Sequence, residues 1–134
     1  MPVKIESFKI ETKGNDDILN ITDQVEEKVR NSGFSKGIAT VFISGSTAGI
    51  TTIEYEPRLL QDLKKVLEKL VPKEAYYLHP DNSFSHIRSA LFRTSFNCPF
   101  KDKKLQLGSW QQIILIDFDT RPRTREILVQ IIGE

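Results

Sequence analysis

The chain has 134 residues, enough for one domain to bury a core without disulfides or a structural metal. Hydrophobic residues make up 39% and charged residues 28%, the balance of an ordinary globular protein. The 19 Lys and Arg against 18 Asp and Glu leave a net charge of +1, which argues against a dedicated nucleic-acid binder, and a single cysteine, Cys98, excludes an intrachain disulfide and any multi-cysteine metal cluster.

Val3 to Thr12 alternates Phe8 and Ile10 with Lys9 and Glu11, the pattern of an amphipathic strand. Gly14-Asn15-Asp16-Asp17 is a turn cluster. Thr22 or Asp23 can cap a helix running to about Asn31, with Val25 and Val29 on one face and Gly33 as its stop. Gly37 to Ser44 is β-branched and apolar, a buried strand, and Gly45-Ser46-Thr47-Ala48-Gly49 interrupts it before Ile50 to Glu56 resumes strand character. Pro57 suits the first turn of a helix whose Leu60, Leu63, Leu67 and Leu70 share one face, and Pro72 ends it. Ala75 to Leu78 reads as a short strand, and Ser85 as the cap of a helix through Phe92. Strands follow at Thr94 to Pro99, Lys104 to Leu107, Trp110 to Phe118 and Arg125 to Ile132. Strands outnumber helices without alternating with them, so the spacing predicts a single α+β domain over residues 1–134, a mostly antiparallel sheet or sandwich with two or three helices. The start of the chain has no apolar signal region and the longest apolar run is only Ile113 to Ile116, so the expectation is a cytoplasmic protein with no membrane contact.

Five features carry candidate chemistry. His79 and His86, the only two histidines, flank a loop leading into a helix and either share a metal or substrate or serve as unrelated surface or capping residues. Asp81 between them can ligate a metal, orient a ring or simply form the turn. Gly45 to Gly49 can aim backbone amides and the Ser46 and Thr47 hydroxyls at an anion, or be a plain hairpin. Glu54 and Glu56 share one strand face, as a general base or as solvated carboxylates. Arg121, Arg123 and Arg125 around Pro122 suit a phosphate or carboxylate, or pair with Asp117 and Asp119. Trp110 reads as a core or interface residue and Cys98 as a small buried hydrophobe.

Four blocks stand in order: Gly45 to Pro57, Asp81 to Arg88, Leu107 to Gln112 and Phe118 to Arg123. Together they resemble the YjbQ-like family, whose members are often labelled uncharacterised or secondary thiamine-phosphate synthase. The resemblance implies a small α+β domain that assembles as a homotrimer, with a polar pocket built from these blocks. It also implies a weak synthase activity that condenses a phosphorylated thiazole with a pyrimidine pyrophosphate. Many members carry a histidine where Gly45 stands here, and another two residues before the equivalent of His86, where Phe84 stands. The loop between His79 and His86 is also shortened, so a metal shell needs Glu54, Asp81, water or a neighbouring subunit to complete it.

These readings combine into one expectation: a small-molecule enzyme acting on an anionic, phosphorylated ligand. His86, His79 and Glu54 form the catalytic set, and Ser46, Thr47, Asn82, Trp110, Arg121 and Arg123 the substrate-binding set, with Arg123 as the main anion contact. A divalent metal, zinc before others, is expected at His79, His86 and Asp81. No nucleic-acid partner is expected. The alternative is a non-catalytic trimeric binding protein with a degenerate ancestral site.

Overall fold

The computed structural model describes residues 2–134. Along them run β1 (Val3–Thr12), β2 (Asp17–Asn20), α1 (Thr22–Asn31), β3 (Lys36–Ile43), β4 (Ala48–Ile53), α2 (Pro57–Leu70), α3 (Ser83–Phe92), β5 (Ser95–Lys101), β6 (Lys104–Leu105), β7 (Gln112–Asp117) and β8 (Arg123–Gly133). The strands form a five-stranded sheet in the order β1-β8-β3-β5-β6 and a three-stranded sheet in the order β2-β7-β4. Every pairing among them is antiparallel, as the irregular alternation of strands and helices predicts.

Side-chain parity decides the layering. Ala39, Val41 and Ile43 of β3 and Ile127, Val129 and Ile131 of β8 point inward, against Ile113 and Leu115 of β7. Val25 and Val29 of α1 close this core at one end. The other parity of β7, Ile114 and Ile116, meets Leu67, Leu60 and Leu63 of α2 in a second core. β7 is thus buried on both faces, which is why its sequence is an unbroken apolar run. The result is a three-layer stack: large sheet, small sheet, helix.

Local signals explain the helices. Pro57 occupies the first turn of α2 and the Glu56 carboxylate accepts from the Leu59 amide at 2.8 Å. In α1 neither Thr22 nor Asp23 caps; Asn20 Oδ1 accepts from the Thr22 amide at 3.1 Å instead. α3 lies close on β4, and a Cβ at Gly49 would come within 2.8 Å of Phe92 Cβ, so only glycine permits this approach.

Further expectations change. α3 begins at Ser83 with Asn82 before it, so Ser85 lies inside the helix and not at its cap. β2 follows directly on the turn cluster, where no strand was expected, because Ile18 and Leu19 find the edge of β7. Ala75 to Leu78 is not a strand: the Tyr77 hydroxyl donates to the Pro72 carbonyl, folding the segment back on the residues that follow α2, and it pairs with no strand among the described residues. Leu70 lies on the apolar stripe of α2 but in its last turn, where it is exposed. No helix among the described residues is long and apolar enough to cross a membrane.

Candidate functional site

Three loops meet where the strands of both sheets end. Ser44 to Thr47 joins β3 to β4, Asp119 to Pro122 joins β7 to β8, and the start of α3 supplies Asn82 and His86. Between them lies an open cleft of about 520 Å³. A second hollow of about 610 Å³ continues from it past Gly45, Ser46 and His86 towards Arg93 and Ser95. On the other side of His86 an apolar hollow is lined by Tyr76, Leu78 and Ile87.

The floor of the cleft is a charged network. Asp117 is fully buried and accepts from Arg125 Nε and Nη2, both at 2.9 Å, from Thr12 Oγ1 at 2.6 Å and from the Asp119 amide at 3.0 Å. Thr47 Oγ1 accepts from Arg125 Nη2 at 2.8 Å and donates to Asp119 Oδ2 at 3.1 Å. Asp119 also accepts from Arg123 Nη2 at 2.6 Å, Asn82 Nδ2 at 3.3 Å and the Thr120 amide at 2.7 Å. Burial pushes both carboxyls up, but at Asp117 the Arg125 and Thr12 hydrogen bonds, and at Asp119 the Thr120 amide, Thr47 and Arg123, outweigh it. Both therefore sit below the usual carboxylate range and are ionised at neutral pH. Arg121, Ser44, Ser46 and His86 are exposed and take part in none of these bonds, and the buried Asn82 Oδ1 has no partner among the described residues, so these are polar groups open to a ligand.

The histidines are close. The His79 and His86 ring centroids are 5.5 Å apart in an edge-to-face arrangement. Ser83 Oγ lies 2.7 Å from the His79 carbonyl and 3.1 Å from His79 Nδ1. The carbonyl has no proton, so the hydroxyl donates its only one there and accepts from the ring. The contact puts a proton on His79 Nδ1 and leaves Nε2 as the ring nitrogen not engaged by Ser83. Behind α3, the fully buried Arg88 fixes the helix: its Nη1 reaches both oxygens of Asp16 at 2.9 and 3.0 Å, and its Nη2 reaches Glu68 at 3.0 Å and the Val71 carbonyl at 2.8 Å.

Six of the sequence-derived residues share the cleft: Ser46, Thr47, Asn82, His86, Arg121 and Arg123. His79 joins them through His86, while Asp81 is an exposed loop residue beside it. Glu54 and Trp110 are elsewhere. β4 runs away from the cleft, so Glu54 lies beyond its far end, about 20 Å along an extended chain from Ala48. Trp110 precedes Gln112, which pairs with Ile53 at that same far end, and is 72% exposed rather than in a core. Among the described residues no three His, Cys, Asp or Glu side chains gather as a metal-binding group. Asp117 and Asp119 were expected only as pairing partners and Arg125 as an anion contact or their partner; the pairing is what the structure shows, and together they build the floor, their signal being two carboxylates at alternate positions at the end of an apolar strand.

A family model described as "UPF0047 protein YjbQ-like" matches residues 6–134. A UPF0047 protein of Methanocaldococcus jannaschii is 36% identical over 129 residues, covering 95% of this chain and 93% of its own length. One of Methanothermobacter thermautotrophicus is 34% identical over 137 residues, covering 100% of this chain and 95% of that one. The solved structure of a YbjQ-like protein of unknown function from Sulfolobus solfataricus superposes with a TM-score of 0.90 at 30% identity, covering 99% of this chain and 100% of that chain. With near-complete coverage in sequence and in structure, the chain belongs to the YjbQ-like UPF0047 family.

Proposed function

We propose that this chain is a small-molecule enzyme that binds a phosphorylated substrate in the cleft between the Ser44–Thr47 loop, the start of α3 and the Asp119–Pro122 loop. The observation that carries this reading is the division of labour among its charges. Arg125 is committed to Asp117 and Arg123 is tied through Nη2 to Asp119, with its buried Nε unpartnered among the described residues, whereas Arg121 stands open beside Ser46 and His86. A preset floor and one open guanidinium suit an anion that arrives with the substrate. The anion contact therefore passes from Arg123 to Arg121. His86 and His79, whose Nε2 is not engaged by Ser83, act either as proton carriers or as ligands that share a zinc ion. Two imidazoles supply two of the four ligands of tetrahedral zinc, leaving water and substrate oxygens for the rest.

The reaction to test is the one the family resemblance implies, in which the ring nitrogen of a thiazole phosphate displaces pyrophosphate from a pyrimidine pyrophosphate. The carbon–oxygen bond breaks towards the pyrophosphate, whose charge Arg121 and His86 are placed to offset. Mixing the purified chain with both substrates and measuring thiamine phosphate tests it: the expected result is turnover that His86→Ala abolishes. Binding of either phosphate without turnover favours the non-catalytic reading, for which the exchange of family histidines for Gly45 and Phe84 speaks.

The same proposal includes a homotrimer. Both faces of β7 are covered within the chain, but the outer face of β3 is not: Ile38 is 39% and Phe42 37% exposed, opposite Ile132 and Leu128 of β8. A neighbouring subunit would cover this apolar face.

A further inference from the structure

Arg93 adopts a backbone conformation that belongs to glycine. It ends α3 at φ 74° and ψ 166°, a region where a Cβ is crowded by its own backbone. Asn82, the other positive-φ residue flanking α3, is at φ 57° and ψ 33°, the left-handed helical region that asparagine tolerates. The fold leaves Arg93 no other choice. Its amide donates to the Ser89 carbonyl at 2.8 Å, its carbonyl accepts from the Ile50 amide at 3.0 Å, and β5 begins two residues later. Glycine would satisfy every one of these bonds without strain, so the backbone does not explain an arginine.

The side chain has an address. Arg93 is exposed, forms no ion pair among the described residues, and lines the hollow that continues from the polar cleft. That hollow and the cleft share Gly45, Ser46 and His86. Two open guanidiniums, Arg121 and Arg93, thus stand on either side of the same loop and the same histidine. Backbone strain of this kind clusters at ligand sites, and here it falls on a residue whose side chain lines a hollow.

We propose that Arg93 binds a second anionic group, so that the ligand is a bis-anion with one phosphate-like group at Arg121 and the other at Arg93. This rests on the reading of the cleft as an anion site and extends it to the class of ligand.

Titration calorimetry with inorganic phosphate and with a flexible alkane bisphosphonate, one phosphonate at each end, tests it on the intact chain. The wild-type chain is expected to bind the bisphosphonate about ten- to a hundredfold more tightly than phosphate. Arg93→Gly is expected to remove that advantage, leave phosphate binding unchanged and raise the melting temperature, because the strain is relieved. Arg93→Lys keeps the charge and is expected to keep most of the advantage. A bisphosphonate advantage that survives Arg93→Gly, or an Arg93→Gly chain that melts lower than wild type, overturns the inference while phosphate binding at Arg121 still stands. If the wild-type chain binds neither probe, the anion-site reading falls and this one with it.

Discussion

Arg121, Arg123 and Arg125 sit at alternate positions around one proline, and their surroundings give them different work. Arg125 is buried and tied to Asp117, Arg123 is tied to Asp119, and Arg121 is exposed at the cleft. Arg121→Ala is therefore expected to weaken phosphate binding about ten- to a hundredfold with little change in stability. Arg123→Ala is expected to do the reverse: to lower stability by about 1–2 kcal/mol and change phosphate affinity less than about threefold. Calorimetric titration and urea unfolding of both variants check this. The floor also sets an acid limit. Asp117 and Asp119 have folded-state values below their unfolded ones, so their contribution is complete above the ordinary carboxyl value of about 3.9 and is lost as pH falls through the lower folded values. Unfolding free energy should be level near neutrality and drop steeply below about pH 4. Asp117→Asn should be less stable at pH 7 and flatter in acid, as urea melts across pH show. The sequence displayed all these residues but not their assignment. Which arginine faces solvent depends on the register of β8, whose strand begins at Arg123 rather than at the expected Arg125.

The elements that could be read in advance were those whose local chemistry agrees with their packing. α2 has a proline at its start, a capping carboxylate and leucines at helical spacing, so each level points the same way. β2 and the Ala75–Leu78 segment failed for opposite reasons. β2 is a strand of four residues that pairs along β7, whereas Ala75–Leu78 has strand-like composition but joins neither sheet. α3 depends on a partner no periodicity reveals, the buried fork of Arg88 on Asp16, Glu68 and Val71. Arg88→Met would leave the nearly buried Asp16 without its main counter-charge, with only Lys73 at 3.5 Å. Breaking such a pair costs about 3–5 kcal/mol. Thermal melts should show the loss. Because His86 lies half a turn before Arg88 on α3, nuclear magnetic resonance should also show the His79 and His86 ring signals moving together.

At the scale of the whole molecule, the question is how the large sheet avoids uncontrolled association while leaving an apolar face open. Its edge strand β1 carries Lys4, Glu6, Lys9 and Glu11 at intervals along its length, charges that discourage a further strand from adding there. The broad face differs. Val3 opposes Ile132, Ile132 opposes Ile38, and Leu128 opposes Phe42, so apolar side chains form rows across adjacent strands. Directly opposed residues share one face of the sheet, and these rows lie opposite the parity that fills the core. Charged edge and apolar face together favour closed assembly through the face over open-ended growth through the edge. Phe42→Glu places a carboxylate in the middle of that face at a position 37% exposed in the single chain, where the fold itself tolerates it. Light scattering is then expected to give the mass of three chains for the wild type and of one chain for the variant, with the same far-ultraviolet circular dichroism. A Phe42→Glu chain that keeps the wild-type mass would show that assembly uses another surface, and a wild-type chain that is monomeric at micromolar concentration would remove the trimer altogether.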